Sequence, residues 1–234
     1  MISRSLLGDI ITVWVGRDTA AKKFYINTDL AIQHSEFFKA VLENDSKESE
    51  ELTVRLPDLS EYVAAAFEGF QSFLSIGKFV WDQEEAVEDS EYDDEHEQDV
   101  WDLFVDSWIL GNALQSGSFK DAVADAVVRK LSLAQSIPTD VYVDIYQNSS
   151  DSSPIRKLMV DIAVHKWLEE EIANVRIDND PVVQAEFSRD VAVALFKVKH
   201  LSKAQQASTP FSSVSGCRYY EHGAEKPCYK TMFE

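Results

Sequence analysis

The stretch that decides the fold is residues 9–57, DIITVWVGRDTAAKKFYINTDLAIQHSEFFKAVLENDSKESEELTVRLP. Between residues 11 and 15, apolar side chains recur at every second position, which is the period of a strand with one buried face. A second extended run follows at residues 23–27, then a helical run from Leu30, then a short returning strand before Pro57. This order of hairpin, helix and returning strand predicts a small sheet covered by helices, an α+β protein.

Several residues of this stretch stand in the order found in BTB/POZ domains: Asp9, Phe24, Ile26, Leu30, Ser35, Phe37 and Phe38. The chain therefore resembles that family. It departs from the family pattern at Asn27, where a histidine is usual, and at Thr28, where arginine or lysine is common. The resemblance implies a BTB/POZ fold, a small mixed sheet with clustered α-helical hairpins, followed here by an all-α C-terminal extension.

The resemblance divides the chain into three parts. Residues 1–131 would form the BTB/POZ domain with an acidic insertion at 82–99, residues 132–200 a helical extension, and residues 201–234 a tail with cysteines and a histidine. The extension and tail resemble fungal BTB-containing proteins. Within the first part, a helical stripe is predicted at Val63, Ala66, Phe67, Phe70 and Leu74, and Ser118 is predicted to cap a later helix.

The acidic insertion holds 11 Asp or Glu and no Lys or Arg. Self-repulsion and the scarcity of apolar groups predict a solvated loop, and the alternative is a docking strip for a basic partner or a divalent cation. In the extension, Pro154 is predicted to begin one amphipathic helix and Pro181 another. The second helix is expected to turn six residues inward: Val183, Phe187, Val191, Ala194, Leu195 and Val198.

Composition excludes several classes of function. The formal charge of −19 opposes binding to nucleic acid or to anionic membranes. No apolar run reaches the roughly 18 residues of a membrane span, and the two cysteines give no disulfide framework, so an intracellular compartment, cytoplasm or nucleus, is expected. Nucleotide-binding and hydrolase motifs are missing, and the protein is predicted not to be an enzyme.

The tail carries the candidate metal ligands Cys217, His222 and Cys228, which are of the type that zinc prefers. A closed structural site needs four ligands, and the fourth would be Glu221, Glu225, His200 or a residue of the body. The alternative is two free cysteines in a folded-back tail, and no other cofactor is predicted. His34 is interpreted as a surface or capping residue.

The function implied by the resemblance is a protein–protein interaction scaffold. It would form homo- or hetero-dimers through its N-terminal segment, with Ile2, Leu6, Leu7 and Asp9 as the candidate interaction surface, and would link partners to a cullin-type ubiquitin ligase. Two alternatives stay open: a monomeric adaptor of the SKP/elongin type, and a zinc-stabilised regulatory protein that uses the tail.

Overall fold

The computed structural model describes residues 9–17, 21–43, 52–56, 63–81, 94–131, 138, 141–169, 180–202, 210–211, 217–222 and 227–233, with side chains of the helix at 94 from residue 98 onward. The backbone divides into two compact units. Unit 1 comprises Met1–Ala126 and His222–Glu234, and unit 2 comprises Val127–Glu221.

Unit 1 contains a small sheet and most of the helices that surround it. Its elements are β1 (Ile10–Val15), β2 (Lys22–Asn27), α1 (Thr28–His34), α2 (Glu36–Glu43), β3 (Thr53–Leu56), α3 (Val63–Ile76), α4 (Asp94–Ala113), most of α5 (Gly117–Lys130) and a 3₁₀ helix (Tyr229–Met232). Unit 2 contains α6 (Val141–Gln147), α7 (Pro154–His165) and α8 (Pro181–Lys199). The prediction of a mixed α+β protein is confirmed.

The sheet has the strand order β2-β1-β3. Strands β1 and β2 form an antiparallel pair with Val13 opposite Phe24, whereas β3 runs parallel to β1 with Val54 opposite Val13. The parallel pairing is possible because β2 brings the chain back to the end of the sheet where β1 starts, and α1 and α2 then lie between β2 and β3 in the chain. The alternation predicted for β1 is confirmed, since Ile11, Val13 and Val15 are fully buried.

The core of unit 1 is built on helix α3. The predicted stripe is buried as expected, and Gly69 and Phe73 join it. The ring of Phe70 lies 5.1 Å from Phe119 and 6.2 Å from Phe38, measured between ring centroids, so α3 holds α5 and α2 in one aromatic core. Helix α3 is thus the central packing element of this unit.

Two boundaries in unit 1 differ from the predictions. Helix α4 begins at Asp94, so residues 94–99 are helical rather than part of a loop, and residues 82–93 lie outside the described residues. Acidic residues are favoured at a helix N-terminus, where they complement the helix dipole. The cap of α5 is Ser116, whose hydroxyl accepts a hydrogen bond from the backbone N–H of Phe119 at 3.3 Å, and not Ser118.

The helices of unit 2 share a second aromatic core. The ring of Phe187 on α8 stacks on Tyr142 of α6 at 3.9 Å, and Trp167 contacts both rings from just beyond α7. Fewer residues of α8 are buried than the six predicted. Only Val183 and Phe187 are buried, and Leu195 is 46% exposed. Apolar periodicity identifies a face of a helix, but it does not guarantee a neighbour that covers the whole length.

Candidate interaction surface and candidate metal centre

The predicted N-terminal surface is described only where it meets the sheet. Ile2, Leu6 and Leu7 lie outside the described residues. Asp9 has an exposed side chain directly before β1, and its carbonyl oxygen accepts a hydrogen bond from the backbone N–H of Thr28 at 2.9 Å. This bond ties the start of β1 to the start of α1.

The outer face of the sheet carries cations and aromatic rings. Its strand residues are Ile10, Thr12, Trp14, Lys23, Tyr25, Thr53 and Arg55, and none of these is acidic. The ammonium of Lys23 lies 5.6 Å from the ring centroid of Trp14 and 5.0 Å from that of Tyr25, and the guanidinium of Arg55 lies 5.4 Å from the Trp14 ring. Such contacts hold the cations over the rings. In a chain with 41 acidic and 22 basic residues, this face is locally basic.

The apolar residues of this face remain accessible to solvent. Ile10 is 56% exposed and Tyr25 is 55% exposed, at neighbouring ends of β1 and β2. Among the described strands, β2 and β3 are the two edges of the sheet. On β2 the Gln71 side chain donates to the carbonyl of Tyr25 at 3.0 Å, and the exposed apolar groups beside this edge form a surface against which another chain can pack.

The junction between α1 and α2 is fixed by Ser35. Its hydroxyl donates to the carbonyl of Leu114 at 2.6 Å and accepts from the backbone N–H of Phe38 at 3.1 Å. The hydroxyl therefore caps α2 and ties it to the turn that follows α4. This is the physical role of the serine in the sequence pattern of this stretch.

His34 lies buried in the last turn of α1, so of the two predicted roles, surface or capping, the surface role is wrong. It is 5% exposed, its ring stacks on Phe233 at 5.1 Å and meets the edge of Phe73 at 5.2 Å, and its Nδ1 lies 3.2 Å from the hydroxyl of Ser118. Burial lowers the pKa of His34 below its ordinary value of 6.5. The residue that covers it, Phe233, comes from the C-terminal tail, which sequence periodicity gave no means of placing.

The first half of the tail is held by a buried carboxylate in unit 2. Asp161 of α7 is 8% exposed, and its Oδ2 accepts hydrogen bonds from Arg218 Nη2 at 2.8 Å and from the Tyr219 hydroxyl at 2.7 Å. Burial raises the pKa of Tyr219, and the hydrogen bond to Asp161 adds to the effect, so the phenol stays a neutral donor. In the sequence, the one indication of this contact is that an acidic residue, Asp161, lies among the apolar residues of α7.

The second half of the tail is held by another carboxylate, in unit 1. Asp125 of α5 accepts a hydrogen bond from the Tyr229 hydroxyl and pairs with the ammonium of Lys230 at 2.8 Å. Tyr229 is 3% exposed and its ring contacts Phe73. The 3₁₀ helix that contains Tyr229 is therefore part of the core of unit 1.

The predicted metal ligands come together within one stretch of twelve residues. The Sγ atoms of Cys217 and Cys228 and a ring nitrogen of His222 all lie within 4.8 Å of one another. Cys217 and Cys228 are not joined in a disulfide, and Cys217 is exposed while Cys228 is half-buried. Of the proposed fourth ligands, Glu221 and His200 are not part of this cluster, and Glu225 lies outside the described residues.

No protein-family model matches this chain, and no curated protein is significantly similar to it. Among the described helices, none is both long and apolar enough to span a bilayer. The fold and the site define a mixed α+β protein with an open sheet face and a cluster of two thiols and an imidazole.

Proposed function

We propose that this protein is an interaction scaffold of the BTB/POZ type that self-associates through its N-terminal segment. The observation that carries the proposal is the path of the chain through unit 1. An N-terminal hairpin is followed by two short helices and a third strand that returns parallel to the first. This path agrees with what the sequence resemblance implies.

The proposed occupant of the sheet's open edge is the N-terminal segment of a second copy. Ile2, Leu6 and Leu7 immediately precede β1, and apolar groups at this position suit the coverage of an exposed strand edge in a partner. A symmetric exchange would place the two segments in equivalent positions, as a closed two-fold dimer requires. The exposed Ile10 and Tyr25 would then lie at the border of the contact.

The mass of the full chain in solution tests this proposal. Size-exclusion chromatography with light scattering at micromolar concentration should give twice the 26.5 kDa chain mass. Removal of residues 1–8, or the combined change Ile2→Asp, Leu6→Asp and Leu7→Asp, should give a monomer. The matched control is Ile76→Asp, an exposed apolar residue at the end of α3 that should leave the dimer intact.

Two results would contradict the proposal in different ways. A wild-type monomer at micromolar concentration would remove self-association and favour the monomeric adaptor of the SKP/elongin type. A dimer that survives removal of residues 1–8 would place the interface elsewhere on the molecule. A binding assay with a purified cullin N-terminal domain then tests the further step that the resemblance implies, the link to a ubiquitin ligase.

A further inference from the structure

We propose that the C-terminal tail binds one zinc ion through Cys217, His222 and Cys228 with an open fourth position. Two cysteine thiolates and one imidazole are among the ligands that zinc takes in proteins, and three protein ligands with one free position are typical of sites that accept water or another molecule. The inference does not depend on the scaffold function, because it concerns the tail alone.

The separations within the cluster suit a metal. For bond lengths of about 2.3 Å to sulfur and about 2.0 Å to nitrogen, the ligand atoms of a tetrahedral zinc stand roughly 3.5 to 3.8 Å apart. The three atoms already lie within 4.8 Å of one another. A contraction of roughly 1 Å, within the reach of side-chain rotation, therefore brings them to the bonding distances.

Each cysteine is followed by a residue that the fold holds in place. Cys217 precedes Arg218, whose guanidinium donates to Asp161, and Cys228 precedes Tyr229, whose hydroxyl donates to Asp125. Each thiol thus lies one residue from a side chain that its own unit holds, which lowers the entropy cost of ordering that thiol around an ion. An isolated flexible tail would pay that cost in full.

The exposure of the site to solvent and the proton balance of zinc binding also agree with the proposal. Cys217 is exposed, so an ion has a path from solvent. Binding forms two zinc–sulfur bonds and one zinc–nitrogen bond, each thiol releases one proton to solvent, and the imidazole binds in its neutral form. No oxidant or reductant is needed.

Metal content and cobalt spectroscopy on the full chain test the site. Protein that is reduced, stripped with a chelator and then given one equivalent of zinc should retain one ion per chain through gel filtration, and zinc should protect both thiols from a disulfide-forming reagent. Cobalt in place of zinc should give the strong visible bands of a tetrahedral ion and a sulfur-to-cobalt charge-transfer band. These bands report the ligands directly and do not depend on any activity.

Variants assign the ligands. Cys217→Ser, His222→Ala and Cys228→Ser should each weaken binding by more than the roughly 10- to 100-fold that the loss of an outer-shell partner causes. The matched control His200→Ala removes an exposed histidine outside the cluster and should leave zinc stoichiometric. Far-ultraviolet circular dichroism of each variant distinguishes a lost ligand from a lost fold.

Three outcomes would overturn the proposal. The first is reduced wild-type protein that retains no zinc at one equivalent. The second is zinc that is retained equally by the Cys217→Ser, Cys228→Ser double variant, since the ion would then lie elsewhere. The third is a Cys217–Cys228 disulfide that persists in reductant and excludes the ion.

Discussion

At the scale of single residues, Asn27 has a structural role at the start of α1. The Asn27 side-chain oxygen accepts a hydrogen bond from the backbone N–H of Leu30 at 3.0 Å, which caps α1. Asn27→Ala should therefore lower the free energy of unfolding by about 1 kcal/mol, measured by urea denaturation. Asn27→Asp keeps the acceptor and should retain most of the stability. Equal stability of the alanine variant and the wild type would contradict this role.

His34 should make the stability of unit 1 depend on pH. Because burial lowers its pKa in the folded state, the unfolded chain takes up a proton first as the pH falls through the ordinary value of 6.5. The free energy of unfolding should therefore decrease as the pH falls from 6.5 toward the lower pKa of the folded state. Above pH 6.5, the contribution of the neutral His34 to stability should be fully present.

The measurement is urea denaturation of the wild type and of His34→Gln, which does not titrate, between about pH 7.5 and about pH 5. The difference in stability between the two proteins should change in favour of the variant at the lower pH. A constant difference between the wild type and His34→Gln would contradict the prediction.

At the scale of elements, Arg156 organises the link between α6 and α7. Its guanidinium is buried and donates to the carbonyls of Tyr146 and Ser149, each at 2.7 Å, and it pairs with Glu186 of α8 at 3.0 Å. Residues 149–153 are all polar, and Arg156 fixes the turn that they form. One planar donor satisfies the carbonyl at the end of α6 and joins all three helices of unit 2.

Arg156→Ala should destabilise unit 2 by about 3 kcal/mol or more, because it leaves buried carbonyls without a donor. Arg156→Lys should rescue little of this loss, since an ammonium cannot reproduce the fork of the guanidinium. Thermal and urea unfolding measure the effect. The matched control is Arg189→Ala, which removes an exposed arginine that pairs with its neighbour Asp190 at 3.1 Å and should lower the stability far less than Arg156→Ala does.

Apolar periodicity predicted the buried residues of a helix well where other elements pack along the whole helix, and poorly where they do not. The stripe of α3 is buried as the sequence indicated, because α3 lies under the sheet and against α4 and α5. Helix α8 has equally regular apolar spacing, yet Leu195 of its predicted inward face is 46% exposed and only Val183 and Phe187 of that face are buried. Amphipathicity is a property of one segment, whereas burial requires a second one.

The ligands of the candidate metal site could be predicted from the sequence, but the residues that hold the neighbours of those ligands could not. Residue type within one stretch of twelve residues identified Cys217, His222 and Cys228, which the fold brings together. The sequence could not pair Asp161 with Arg218 or Asp125 with Tyr229, because those contacts join positions 57 and 104 residues apart. Pairings over such distances follow from the folded path of the chain and leave no mark in local sequence.

At the scale of the whole molecule, the excess of acidic residues should govern the response to salt. Because the formal charge is −19, the acidic groups on average repel one another, and the compact folded state brings them closer together. The close pairs, such as Arg156 with Glu186, are short and partly buried, and salt screens them less. The net effect of salt should therefore be the relief of repulsion.

The melting temperature at about pH 7 should consequently rise as sodium chloride increases from about 0.01 M to about 0.1 M, over which the screening length falls from about 30 Å to about 10 Å. This range is low enough that the general exclusion of salt from protein surfaces contributes little. The control is the same titration near the pI of 4.6, where the net charge vanishes and the rise should disappear. A melting temperature that falls with salt at about pH 7 would mean that attractive ion pairs outweigh the repulsion among the 41 acidic groups.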